Sequence, residues 1–209
     1  MMGGGIDTGS ANITLSMVVR NEAGRYLEKC LETNKQFIDA YVIVDDASSD
    51  DIIALCESTL KDIPHTIIKN TTYLFENEVR LRRKQWDETV KRNPDWILNL
   101  DADEELDWEF GELRKILDGA SFESVYLRLY DMWSPEHYRE DAWWRAHHFY
   151  RPFLIKYRPD FQYEWKEQPV HCGRFPKNIN QFSYTIHSAR VKHWGWAKPE
   201  DREQKYRRY

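Results

Sequence analysis

Asp101 and Asp103 stand two apart at the end of the apolar run Trp96-Ile97-Leu98-Asn99-Leu100. In extended chain, residues i and i+2 point the same way, so the two carboxylates share a side. Two hard oxygen ligands at the tip of a buried strand suit Mg²⁺ or Mn²⁺, and such an ion suits a diphosphate. A second acidic cluster, Asp45-Asp46, closes another apolar run, Ala40 to Val44, and leads into Ala47-Ser48-Ser49-Asp50. That stretch has the chemistry of a turn and a helix N-cap. A third polar step, Arg20-Asn21-Glu22, follows the run Ile13 to Val19. Two acids after a strand can equally be a solvated loop; three such steps after successive strands point to a ligand.

The elements that must position these groups are legible as alternating apolar runs and amphipathic stretches. Strands are expected at 13–19, 40–44, 65–69 and 96–100, and helices at about 22–34, 51–60 and 76–92. Leu106, Phe110, Leu113 and Leu117 repeat at three- and four-residue intervals, which predicts a further helix ending near Gly119. Rounds of strand then helix imply an α/β fold with a mostly parallel sheet and helices on both faces. Ligands bind such sheets outside the carboxyl ends of the strands, where both acidic clusters lie. Beyond Gly119 the rhythm changes, with strands expected at 125–130, 153–157 and 185–192 and a helix starting at Pro199. Residues 13–120, which carry all three polar steps, and residues 121–209 then form two halves of one domain. The Gly/Ser-rich residues 1–12 are expected to be a disordered tail. The last helix pattern is still running at Tyr209, so the natural chain is expected to continue.

Composition narrows the function. The chain has 209 residues and a net charge of −5, which disfavours a general nucleic-acid binder. Nine Trp and twelve Tyr crowd the second half, the material of a stacking groove or an aromatic core. Three widely spaced Cys, no leader-like segment and no membrane-length apolar run point to a reducing cytoplasm. A zinc site joining Cys172 to His171, His187 or His193 lacks the usual ligand spacing.

The motifs Ser16-Met17-Val18-Val19-Arg20-Asn21-Glu22, Val44-Asp45-Asp46-Ala47-Ser48-Ser49-Asp50 and Leu100-Asp101-Ala102-Asp103-Glu104, in this order, resemble glycosyltransferase family 2 with the Rossmann-like GT-A fold of nucleotide-diphospho-sugar transferases. Val19 and Arg20 stand where many members have Pro and Tyr, a variant associated with a bacterial subgroup. The resemblance implies a metal-dependent, inverting transfer of a sugar from a nucleotide-diphospho-sugar, UDP-type, to a hydroxyl of a glycan, lipid-linked or protein acceptor. It makes residues 13–120 a nucleotide-sugar-binding half and residues 121–209 an acceptor-binding half. It implies Mn²⁺ or Mg²⁺ on Asp103, with Asp101 on the ribose or a metal-bound water and His193 as a third ligand. Val19, Arg20 and Asn21 would line the base, Asp46 would accept from its N3–H, Asp45 would orient the turn, and Arg83, or else Arg80, would meet the nucleotide. The catalytic base would come from the second half: Glu167 first, Asp131 next. Related enzymes often carry Val-His-Glu near residue 171, where this chain has Cys172. A lipid-linked acceptor would bring the protein to the inner membrane face. The rival readings are a sugar nucleotidyltransferase, whose Gly-rich phosphate loop after the first strand is missing here, and a non-catalytic binding module.

Overall fold

A computed structural model describes residues 10–207. The tail expected at 1–12 lies outside the described residues as far as position 9. Asn12 is held at the start of the first strand, its N–H donating to Asp95 Oδ2 at 2.8 Å.

The first half builds four parallel strands. β1 (Ile13–Val19), β2 (Ala40–Asp45), β3 (His65–Lys69) and β4 (Trp96–Asn99) lie in the order β3-β2-β1-β4. β1, β2 and β4 are buried on both faces, which is why they read as unbroken apolar runs. On one face pack α1 (Leu27–Asn34) and α2 (Ile52–Thr59), whose Leu27, Leu31, Ile52 and Cys56 meet Leu15, Met17 and Ile43 in the main core. On the other lies α3 (Glu78–Val90), whose Val79 and Trp86 join Ile97 and Ile155 in a second core. Polar groups on that face are paired. Ser16 Oγ meets Thr89 Oγ1 at 2.7 Å, and Thr89 Oγ1 donates back to the Gln85 carbonyl.

The helix expected over 106–117 divides. Leu106 belongs to a short strand, β5 (Glu104–Leu106), and the helix α4 covers only Phe110–Lys115. All four leucine-type positions are buried, so the spacing located the core face but not the conformation. The reason is Asn34 at the end of α1. Its side chain donates to the Glu104 carbonyl (3.1 Å) and accepts from the Leu106 N–H (2.9 Å), taking the backbone groups that β5 leaves unpaired on its outer edge. The expected start of α1 also moves, from residue 22 to Leu27.

The second half completes the sheet with β6 (Ser124–Asp131), β7 (Tyr150–Lys156) and β8 (Tyr184–His193). The eight strands run β3-β2-β1-β4-β7-β6-β8-β5. β7 is antiparallel to both β4 and β6, β8 is parallel to β6, and β5 is antiparallel to β8. The sheet is therefore mostly parallel, with the antiparallel pairs in its second half. β5 pairs only with β8, so the strand after Asp103 is fixed by the far end of the chain, Glu104 opposite His193. A last helix, α5 (Pro199–Tyr206), starts with Pro in its first turn, where no N–H partner is lost. Its Asp201 accepts from the Tyr26 hydroxyl at 2.7 Å, and its Arg202 donates to the Trp133 and Trp196 carbonyls. Among the described residues no helix is long and apolar enough to cross a membrane.

Candidate active site

The carboxyl ends of β1, β2 and β4 open on a cleft of about 470 Å³ lined by Val19, Arg20, Glu22, Asp46, Asp101 and Asp103, with Tyr73, Phe75 and Arg82 among its other walls. Two loops frame it. Asn21, in the left-handed region at φ 51°, accepts from the Ser49 N–H (2.9 Å) and donates its own N–H to Ser48 Oγ (3.0 Å). Asn21 thus staples the loop after β1 to the loop after β2 and does not itself line the cleft. Asp45 accepts from the Ser48 N–H at 3.0 Å and holds the turn.

Asp46 lies at the cleft but its carboxylate is occupied. Oδ1 accepts from Asn70 Nδ2 (2.8 Å) and the Leu74 N–H (2.9 Å), and Oδ2 from the Phe75 N–H (3.1 Å). A base N3–H would have to displace one of these donors, since the chain itself takes the acceptor positions of Asp46. What Asp46 does is fold the segment 70–75 so that Tyr73 and Phe75 stand partly exposed at the cleft, with the Arg20 guanidinium 3.7 Å over the Tyr73 ring.

The arginine at the cleft is Arg82. It donates to Asp101 Oδ1 at 3.4 Å and to Gln85 Oε1 at 3.0 Å. Arg83, the expected one, is exposed and pairs with Glu167 away from the cleft. Glu167, the first expectation for the base, is 66% exposed in that pair and lines none of the three cavities. A second cation comes from a loop far along the chain. Arg174 forks onto buried Glu104 and reaches Asp101 Oδ2 at 2.9 Å. Burial works against ionisation of Asp101, and Arg174 and then Arg82 outweigh it, holding its carboxyl below the usual range. Burial pushes Glu104 up despite Arg174.

Asp103, His193 and Asp131 form a line. His193 Nε2 is 3.2 Å from Asp103 Oδ2, and Nδ1 is 2.6 Å from Asp131 Oδ1. The β5–β8 pairing places the first two, and the Trp194 N–H to the Asp103 carbonyl (2.8 Å) locks them. Burial opposes the imidazolium, but hydrogen bonds to the two carboxylates push His193 up to about 10. Burial likewise opposes the Asp103 carboxylate, and the His193 hydrogen bond and charge bring it down to about 2. Gly195 closes this corner. A Cβ there would collide with Asp103 Oδ2 and stand 2.5 Å from Lys205 Nζ and 2.9 Å from His193 Nε2. The absent side chain leaves a cradle walled by a carboxylate oxygen, an imidazole nitrogen and the Lys205 ammonium, and once that flexible side chain swings out the donors are the first two. That donor set fits a divalent ion.

Asp131 also lines a neighbouring cavity of about 440 Å³, with Trp143, Trp144, Arg151 and Trp196, and among the described residues is the only acid on its wall. A third cavity, about 400 Å³ and mostly apolar, lies against β7 and residues 172–180 and meets the acidic corner through Arg174.

Arg82, Arg174, Glu22 and Lys205 are the site residues that sequence reasoning missed. Glu22 sits within the third motif and faces Asp103; burial first, then Asp103, Asp201 and Asp50, push its carboxyl up to about 7 against the pull of Arg25.

The site is an acidic, arginine-flanked cleft at the strand ends of an α/β sheet, next to an aromatic-walled cavity. No protein-family model matches the chain. It is 29% identical over 115 residues to an uncharacterized glycosyltransferase of Rickettsia bellii, covering 55% of this chain and 35% of that protein. It is 32% identical over 115 residues to an uncharacterized glycosyltransferase of Rickettsia felis, covering 55% of this chain and 37% of that one. A TPR repeat-containing protein of Synechococcus elongatus matches at 33% over 109 residues, 52% of this chain and 25% of that protein. The chain thus spans little more than a third, at most, of the length of these relatives. Superposition on S. aureus TarS in complex with UDP-GlcNAc gives a TM-score of 0.47 at 13% identity, over 63% of this chain and 37% of that one, too distant to carry an assignment.

Proposed function

We propose that this chain is a GT-A-type glycosyltransferase of family 2 character, moving a sugar with inversion from a nucleotide-diphospho-sugar of UDP type to an acceptor hydroxyl. The observation that carries the reading is the Asp103–His193 cradle under Gly195, facing a cleft that ends β1, β2 and β4. The naming of two relatives as glycosyltransferases supports it.

Asp103 and His193 Nε2 would hold Mn²⁺ or Mg²⁺, with Asp101 beside them. When bound, the ion supplies positive charge to the diphosphate as it leaves. The chain's own groups do the rest. Tyr73, Phe75 and Arg20 offer flat surfaces for a base, beside the backbone of Val19. Arg82 offers a charge-assisted donor to the ribose or phosphates once Asp101 releases part of it. Asp131 fixes the His193 tautomer, since Nδ1–H donates to it and Nε2 is left facing the cradle. Asp131 is also the base we assign. It is the one carboxylate on the wall of the cavity where Trp143 and Trp144 could stack an acceptor sugar, and it would take the proton of the attacking hydroxyl.

The test is release of UDP from a panel of UDP-sugars, with acceptor glycans, with and without Mn²⁺. Asp103→Ala should abolish Mn²⁺-dependent release while circular dichroism stays unchanged. Asp131→Asn keeps an acceptor for His193 Nδ1–H and removes one of the two carboxylates that hold its proton, so Mn²⁺ affinity should not fall while turnover drops by about 10²-fold or more. Absence of both UDP binding and UDP release across the panel refutes the reading.

A further inference from the structure

We propose a second metal site, for Zn²⁺ or a similar borderline ion, formed by Glu140, His147 and His148 in the segment between β6 and β7. It shares no residue with the Asp103–His193 corner.

The three side chains converge. Glu140 Oε2 is 3.4 Å from His147 Nε2, Glu140 Oε1 is 3.7 Å from His148 Nε2, and the ligand atoms of all three lie within 4.8 Å of one another. An ion with tetrahedral bonds of about 2.0–2.1 Å has its ligands about 3.3 Å apart along each edge. Each imidazole nitrogen therefore already stands near coordination spacing from one of the two Glu140 oxygens. The His147 ring is rigidly placed, 6% exposed, between Tyr130 (5.7 Å) and Tyr138 (5.0 Å). Its Nε2 is buried and has no hydrogen-bond partner, although Glu140 is 3.4 Å away. A buried ring nitrogen left without a partner carries a desolvation cost that a coordinated ion would remove. Two imidazoles and one carboxylate are the donor set of open zinc sites, with a fourth position left over.

The position gives the site a consequence. Between Glu140 and His147 the chain carries Trp143 and Trp144, two walls of the 440 Å³ cavity beside Asp131. Asp141 already gathers the Trp143 and Trp144 N–H groups at 2.8 and 3.1 Å. An ion bridging Glu140 to His147 and His148 would clamp both ends of that loop and set the shape of the cavity.

The experiment is calorimetric titration of the full chain with ZnCl₂ in the Asp103→Ala background, with Asp103→Asn as the substitute if the alanine variant unfolds. One equivalent of Zn²⁺ should bind, and Co²⁺ in its place should give the visible absorption of a four-coordinate ion. Adding His148→Ala or Glu140→Ala, both at exposed positions that leave the fold intact, should weaken binding at least tenfold. No Zn²⁺ uptake in the Asp103-substituted chain overturns the proposal, and so does uptake that neither added substitution weakens.

Discussion

Gly195→Ala adds one methyl group at the point where the proposed metal corner is tightest. The new Cβ would collide with Asp103 Oδ2 and lie 2.5 Å from Lys205 Nζ and 2.9 Å from His193 Nε2. Lys205 ends a flexible side chain and can swing away. Asp103 and His193 cannot do so cheaply. Asp103 is tied to His193 at 3.2 Å, and His193 is tied to Asp131 at 2.6 Å on a paired strand. Restoring a carbon–oxygen separation of even ~3.5 Å requires the carboxylate to retreat by roughly 1 Å. Metal ligands tolerate departures of only about 0.2 Å. The displacement is several times that tolerance, so Mn²⁺ affinity should fall at least about tenfold, or about 1.4 kcal/mol.

Overpacking also has a stability cost, about 1–3 kcal/mol. For a chain of this size that lowers Tm by about 2–4 °C per kcal/mol. The informative assay is therefore paired. Calorimetry with Mn²⁺ and UDP reads the site, and thermal unfolding without ligand reads the fold. Both should worsen, and the Mn²⁺ term should stay weak under conditions where the variant is fully folded. A variant that loses Tm but binds Mn²⁺ as the parent does would refute the cradle. So would an alanine tolerated in both assays.

Arg174→Met should destabilise by about 3–5 kcal/mol at neutral pH, because it strands the 1%-exposed Glu104 beside Asp101. The loss should shrink in acid, where Glu104 can take a proton, and urea unfolding at two pH values measures it. Glu22→Gln should flatten the stability profile. The Glu22 carboxyl is raised from 4.5 to about 7 by burial above all, so the folded chain holds its proton more tightly than the unfolded chain. Its contribution is complete below pH 4.5 and lost as pH rises through 7, at most about 3 kcal/mol. Equal slopes for parent and variant between those pH values would show that Glu22 does not carry this term. Gly111→Ala in α4 should stabilise by about 0.5–1 kcal/mol, since its Cβ meets only the Phe37 ring edge at 3.4 Å. A lower Tm would mean that Phe37 cannot yield.

How much was legible depended on what each residue had to satisfy. The strands were legible because a sheet covered on both sides demands continuous apolar runs, and β1, β2 and β4 supply them. Asp101 and Asp103 were legible because their polar step is one of three that follow successive apolar runs. Which arginine of α3 meets the cleft is open in the sequence, because Val79 and Trp86 are compatible with either residue 82 or residue 83 on the buried stripe, at spacings of three and four. The structure buries polar Thr89, whose hydroxyl Ser16 on β1 partners, with Val90 packed beside it, and brings Arg82 to the cleft. Arg174 left no such trace. It lies 70 residues beyond Glu104 in a loop, and only the three-dimensional path joins them. The resemblance puts His193 beside Asp103, but its second partner, Asp131, is not legible as one, because β6–β8 register cannot be counted from sequence.

That register explains how so much acid can gather around one corner. Asp101, Asp103, Glu104 and Asp131 face Arg82, Arg174, His193 and Lys205, four acids against four cations when His193 carries its proton. With His193 raised to about 10 and Asp103 lowered to about 2, the corner is charge-balanced at neutral pH. A divalent ion on Asp103 and His193 Nε2 needs the neutral imidazole, so its entry must release that proton and leave one net positive charge in the corner. A diphosphate arriving with the ion would cancel that charge, whereas the ion alone would not. The arrangement therefore favours joint binding of ion and nucleotide over either alone. In calorimetric terms, Mn²⁺ should bind more tightly in the presence of UDP, and UDP more tightly by the same factor in the presence of Mn²⁺. Independent, additive binding of the two would mean that Asp103 and His193 do not face the diphosphate.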